Sequence, residues 1–164
     1  MPQDFEIYPF VFPALRGLTD LGFKLFLVSN QPSYAKGKTS MSNLNEIHEQ
    51  LDAQMRSNKI HFAKYYYCYH HPKGIVPDLT MTCACTKPGT KFIMEAKEQF
   101  NIDLTSSYFI GDQDTDVECG QRAQLKTIMI LNEYSVNKRG HSSPDLMANN
   151  LLEAMKLIER IEGR

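Results

Sequence analysis

Two short segments rich in cysteine and histidine carry the densest chemistry in this sequence. Cys68-Tyr69-His70-His71-Pro72 is followed, after a loop, by Cys83-Ala84-Cys85. Thiolate and imidazole donors suit zinc, and four protein donors close a tetrahedral site with no position left for water. The expected ligands are Cys68, His70, Cys83 and Cys85. His71 is the alternative imidazole, because spacing alone does not separate two adjacent histidines. Such an ion would staple a loop too poor in apolar residues to pack by itself. The competing reading is two unrelated thiol pairs, buried or at the surface. Cys119 stands apart in a helical stretch and reads as a small buried hydrophobe.

A second set of residues can handle phosphate. Gly111-Asp112-Gln113-Asp114-Thr115-Asp116 puts three carboxylates at a strand-to-helix turn, where oxygen ligands can hold a hard cation such as magnesium. Ordinary helix-start chemistry accounts for the same acids, with Asp114 as an N-cap and its neighbours favoured by the helix dipole. Ser29 and Asn30 end an apolar run. A hydroxyl beside backbone amides can grip phosphate oxygens, although turns use both residue types equally well. Lys87, beside the Cys83–Cys85 pair, can supply a cation for a dianionic phosphate, or can be a solvated surface lysine.

These residues need a frame. Lys24 to Asn30 is a short apolar run bounded by Gly22, as in a buried strand. Before it, Leu15, Leu18 and Leu21 recur at helical spacing from about Pro13, with Gly22 as the cap. Ser42 opens a longer helical pattern bearing Leu44, Ile47, Leu51 and Met55 on one face. Tyr65 to Tyr67 reads as a strand, and residues 68–88 as a loop. Gly89 to Phe100 is helical, with Phe92, Ile93, Ala96 and Phe100 inward. A strand over Tyr108–Ile110, a helix over Thr115–Gln124 and a strand over Thr127–Leu131 follow. The polar stretch from Asn132 to Pro144 reads as a loop, and Met147 to Ile161 as an amphipathic helix. Alternating strands and helices imply an α/β fold with a parallel sheet covered on both faces. Ligands gather at the carboxyl ends of such strands, so Ser29-Asn30, Cys68 and Gly111-Asp112 are expected on one edge.

The 164 residues suit one domain spanning 1–164. A net charge of -1 leaves no electrostatic footprint for nucleic acid or membrane lipid. No apolar run approaches the ~20 residues that span a bilayer, and the acidic start lacks a signal-peptide pattern. A cytoplasmic location is the expectation, where clustered cysteines bind metal or do chemistry more often than they form disulfides. The closing Ile161-Glu162-Gly163-Arg164 spells a protease site common in fusion proteins and receives no functional weight.

In order, Ser29-Asn30-Gln31, Cys68-x-His70-His71-Pro72, Cys83-x-Cys85-x-Lys87-Pro88 and Gly111-Asp112-x-x-x-Asp116 resemble one family. It is the heptose-bisphosphate and histidinol-phosphate phosphatase branch of the haloacid dehalogenase (HAD) superfamily. The resemblance covers about Asp4 to Leu131. It implies a three-layer Rossmann-like fold and magnesium-dependent hydrolysis of a small sugar-phosphate monoester, through an aspartyl-phosphate. It matches Ser29 to the phosphate-binding hydroxyl and Lys87 to the lysine that neutralises phosphoryl oxygens. Asp112 matches the magnesium-binding carboxylate and Asp116 the carboxylate that supports it. Cys68, His70, Cys83 and Cys85 match the zinc ligands. Asn30 and Lys36 fall in the phosphate- and substrate-binding loop, Lys36 where an arginine is common.

The family's first motif, an apolar strand followed by Asp-x-Asp-Gly-Thr, is absent from these residues. Neither the nucleophilic aspartate nor the acid–base aspartate is therefore present. Loss of a covalent nucleophile elsewhere has cost on the order of 10⁶ in rate, roughly 8 kcal/mol of barrier. The missing strand is central in the family's sheet. Its place is expected to be closed over, filled by a second copy in a strand-exchanged homodimer, or supplied by a separate or removed segment. Pro32-Ser33-Tyr34, Thr86 and the short Lys87-Pro88-Gly89 also depart from the family and set the substrate apart. Two functions follow as expectations: a phosphatase impaired in this chain, or a non-catalytic protein that binds a small phosphorylated metabolite on a zinc-stapled scaffold.

Overall fold

The computed structural model describes residues 2–163. The chain divides into two compact units, Met1–Cys83 and Ala84–Arg164.

After a 3-10 helix over Pro2–Asp4, the first unit forms helix α1 (Val11–Asp20), whose Ala14, Leu15 and Leu18 are buried. Its end is a paired-turn cap: Gly22 N–H donates to Thr19 O at 2.9 Å and Phe23 N–H to Leu18 O at 3.0 Å. That geometry needs a left-handed residue, supplied by Gly22 at φ 90°. The cap turns the chain into strand β1 (Leu25–Asn30). Helix α2 (Met41–Ser57) then starts one residue before the expected Ser42. Ser40 is its N-cap, the hydroxyl accepting from Asn43 N–H at 3.1 Å. Of the expected apolar face, Met55 is buried, while Leu44, Ile47 and Leu51 are half-buried. Strand β2 (Phe62–Cys68) pairs with β1 in parallel, with Ser29 opposite Tyr67 and Asn30 opposite Cys68. Gln31 N–H donates to Cys68 O at 2.7 Å and extends the contact one residue further.

The second unit runs through helix α3 (Lys91–Phe100), strand β3 (Tyr108–Gly111), helix α4 (Asp114–Arg122), strand β4 (Lys126–Ile130), strand β5 (Leu146–Ala148) and helix α5 (Leu151–Glu162). Its sheet is parallel with order β3-β4-β5. Ile93, Leu104, Cys119, Ala123 and Leu125 form a buried cluster against Phe109. Cys119 is fully buried, as expected, and its thiol donates to Gly89 O at 3.3 Å. Burial also pushes that thiol up to about 11.

Two expectations here need correction. Met147–Asn150 is not helical: Met147 and Ala148 belong to β5, and Asn150 is the N-cap of α5, accepting from Glu153 N–H at 3.0 Å. A three-residue strand is too short to leave a periodic signal. The stretch read as loop contains a 3-10 helix over Glu133–Lys138. The α/β class and parallel pairing are as expected. Hydrogen bonding divides the strands into a two-stranded and a three-stranded ladder. Among the described residues, no helix is long and apolar enough to cross a membrane.

Candidate functional site

The end of β2 and the loop beyond it bring four donors together. The ligand atoms of Cys68, His70, Cys83 and Cys85 all lie within 4.8 Å of one another. Cys68 Sγ is 3.7 Å from His70 Nδ1. A tetrahedral ion with bonds of roughly 2.3 Å to sulfur and 2.0–2.1 Å to nitrogen would separate such donors by about 3.6 Å. Cys68 and Cys85 are buried, at 1% and 4% exposure. Donor type, the Cys68–His70 separation and the burial of Cys68 and Cys85 fit a closed metal site. The structure also joins Cys83 and Cys85 as a disulfide. Ligation and that bond are alternatives, since a metal requires both sulfurs as thiolates.

The two adjacent histidines part company here. His71 Nδ1 accepts from Lys73 N–H at 3.1 Å, and His71 N–H donates to Leu79 O at 3.0 Å. His71 organises the loop, and His70 joins the cysteines.

At the turn from β3 to α4, the three carboxylates have different fates. Asp116 Oδ2 accepts from the N–H groups of Asp112 and Gln113, both at 3.0 Å. Its Oδ1 pairs with Lys87 Nζ at 2.6 Å. Lys87 is not a surface lysine: its side chain is 12% exposed, and the ammonium lies 5.8 Å from the centre of the Phe109 ring. Gly111 is required by this close approach, because a Cβ there would stand 2.3 Å from Asp116 Cβ.

Asp114 is not the N-cap that the sequence suggested. Gln113 takes that position, in a reciprocal capping box with Asp116. Asp114 reaches away to the loop after β4, accepting from the N–H groups of Gly140, His141 and Ser142 and from the Ser142 hydroxyl. The Ser142 hydroxyl above all, with those amides, holds the Asp114 carboxyl down to about 2 against an ordinary 3.8. Sequence reading missed this clamp, because its partners lie 26 to 28 residues away. Asp112, at the tip of the turn, is half-buried.

In the first unit, Ser29 and Asn30 end β1 and are half-buried, as is Lys36 in the following loop. Ser29 Oγ accepts from Gln31 Nε2 at 3.1 Å, which leaves its own O–H available as a donor. The loop is folded by turns, including Lys36 N–H to Pro32 O at 3.0 Å and Lys38 N–H to Ser33 O at 2.9 Å.

A family model described as HAD-hydrolase-like matches residues 84–154. The D-glycero-D-manno-heptose-1,7-bisphosphate 7-phosphatase of Chlorobaculum tepidum is 32% identical over 144 residues, covering 83% of this chain and 72% of the relative. The chain belongs to the HAD superfamily, in its heptose-bisphosphate phosphatase branch. The corresponding 7-phosphatase of Photorhabdus laumondii is 28% identical over 162 residues, 96% of this chain and 85% of that protein. Among solved folds, the D,D-heptose 1,7-bisphosphate phosphatase of B. bronchiseptica superposes with a TM-score of 0.82 at 18% identity, covering 98% of this chain and 87% of that one. The HAD fold expected from the motifs is thereby established. Its family-model match falls within the second unit, which carries the Asp112–Asp116 turn.

Proposed function

We propose that this chain is the phosphate-handling scaffold of a HAD phosphatase for a small sugar-phosphate monoester, without the catalytic aspartate pair. The observation that carries it is the buried Lys87–Asp116 ion pair, locked to the Asp112 and Gln113 amides. An ammonium held this way costs nothing further to order when a phosphoryl oxygen arrives, so its charge acts as a preorganised electrostatic clamp. Asp116 fixes Lys87 and the backbone of Asp112 together, and so acts as a positioning residue. Ser29 contributes its O–H to phosphate, with the Asn30 and Lys36 loop beside it.

Asp112 is the carboxylate at this turn that would reach a magnesium ion, since Asp114 and Asp116 are already engaged. Magnesium is often held by one or two carboxylates plus substrate phosphates. Bound there, it would neutralise phosphoryl charge. Cys68, His70, Cys83 and Cys85 would hold a zinc ion that fixes the loop over residues 68–88. The substrate class follows the relatives, whose names specify a heptose bisphosphate. A second reading is a regulatory protein that binds a phosphorylated metabolite without turnover.

Phosphate release from a panel of sugar phosphates tests both readings. It is measured with magnesium, on the chain alone and on the chain extended at its N-terminus by a strand bearing Asp-x-Asp-Gly-Thr. The expected result is binding without turnover by the chain alone and magnesium-dependent turnover by the extended form. Failure of the extended form to turn over any sugar phosphate, while still binding them, supports the regulatory reading. Turnover by the chain alone within the usual enzymatic range of about 1–10³ s⁻¹ contradicts the assignment of a missing nucleophile.

A further inference from the structure

The cysteines of the Cys/His cluster differ in how far water reaches them. Cys68 and Cys85 are buried, whereas Cys83 is half-buried. Cys83 is therefore the sulfur that a small solute meets first. One residue separates it from Cys85, and the structure joins the two as a disulfide. The same arrangement keeps the donor atoms of Cys68, His70, Cys83 and Cys85 within 4.8 Å of one another. One local fold thus accommodates both a thiolate pair turned on a metal and a sulfur–sulfur bond that excludes one.

The loop between the two arms of the cluster leads to the phosphate-binding residues. Inside it, His71 N–H donates to Leu79 O at 3.0 Å and Gly74 N–H to His71 O at 3.1 Å. Its tip is seated on the loop that follows β1. Ile75 N–H donates to Ala35 O at 2.6 Å, and Val76 N–H to the same oxygen at 3.3 Å. Ala35 is fully buried. Gly74 permits the approach, since a Cβ there would stand 2.8 Å from Thr80 Oγ1 and 3.0 Å from Ala35 O. Lys36, in the proposed phosphate loop, is the next residue after Ala35.

We propose that Cys83 and Cys85 are a peroxide-sensitive oxidation site, whose conversion to a disulfide releases the metal and loosens the seat beside Lys36. The proposal rests on zinc ligation by the cluster. Ligation keeps both sulfurs as thiolates, the form that reacts. The Cys83 thiolate attacks one oxygen of hydrogen peroxide. The O–O bond breaks, the sulfur becomes a sulfenic acid and hydroxide leaves. The Cys85 thiolate then attacks the Cys83 sulfur, forms the S–S bond and displaces a second hydroxide. Protons from solvent turn both hydroxides into water. The two thiolates have lost the electron pair that peroxide gained. Cys68 and His70 remain, and a pair of donors does not complete a tetrahedral site. A dithiol reductant takes the disulfide back to thiols by exchange.

The test uses the intact chain, reduced, loaded with zinc and freed of reductant, with its zinc content measured first. Hydrogen peroxide is then added in the presence of a zinc-responsive dye. Mass mapping after alkylation locates the disulfide, and backbone NMR follows Ala35, Lys36, Ile75 and Val76. The expected result is loss of the zinc in step with a disulfide between Cys83 and Cys85, with shifts of those backbone signals. Dithiothreitol and added zinc are expected to restore both. Zinc retained on reduced cysteines in excess peroxide overturns the proposal. So does oxidation of Cys68 in place of the Cys83–Cys85 pair, and so do loop signals that stay put when the zinc leaves. A reduced chain that takes up no zinc defeats the ligation itself, before any peroxide is added, and the proposal falls with it.

Discussion

The Cys/His cluster and the acidic turn look alike on paper, each offering closely spaced donors after a strand, but they fold to opposite ends. At the first, four side chains converge until their donor atoms lie within 4.8 Å. At the second, three carboxylates disperse: Asp116 to Lys87 and two amides, Asp114 to a distant loop, Asp112 to the tip. Thiolates and imidazoles are the donors that zinc prefers, and here they converge on one point, apart from His71, which accepts from Lys73 N–H instead. Carboxylates are good amide acceptors, and a helix start supplies unsatisfied amides in abundance. Acid spacing at a helix N-terminus therefore overstates the number of metal ligands.

This contrast can be broken experimentally. The largest effect is expected at the converging cluster. Cys68→Ser or Cys85→Ser should abolish stoichiometric zinc and lower Tm by ~10 °C or more, since a structural zinc contributes directly to folding. Metal analysis paired with thermal unfolding checks this, and a variant that keeps both zinc and Tm would dissolve the distinction. At the dispersing turn, Lys87→Met should cost about 3–5 kcal/mol in urea unfolding, because Asp116 is left as a buried charge without its cation. A cost near zero would mean that the amides alone hold Asp116.

Gly111→Ala should cost about 1–3 kcal/mol, as the new Cβ collides with Asp116. If urea midpoints do not move, the turn is looser than described. The smallest effect is pH-dependent. The Asp114 carboxyl titrates lower folded than unfolded, so its stabilisation is present above about pH 4. That contribution fades as pH falls from there toward about 2. Backbone NMR signals of Gly140 to Ser142 should report this release. In Ser142→Ala, the Asp114 titration should move back up toward 3.8.

Much of this was legible in the sequence, for identifiable reasons. The strand at Leu25–Asn30 and the helix before it announced themselves through an apolar run and a glycine that only a left-handed cap requires. The Cys-x-His and Cys-x-Cys pairs announced the cluster, because few other arrangements use those residues at that spacing. Three features stayed hidden. β5 is three residues long. His70 and His71 differ only in which way the loop turns them. The Asp114 clamp joins residues far apart in sequence.

The most direct test is zinc stoichiometry combined with X-ray absorption at the zinc edge, on protein prepared under reducing conditions. One zinc per chain, bound by three sulfurs and one nitrogen, is the expected result, with His71→Ala leaving the spectrum unchanged. A folded, metal-free protein in which Cys83 and Cys85 remain disulfide-bonded under those conditions would contradict it.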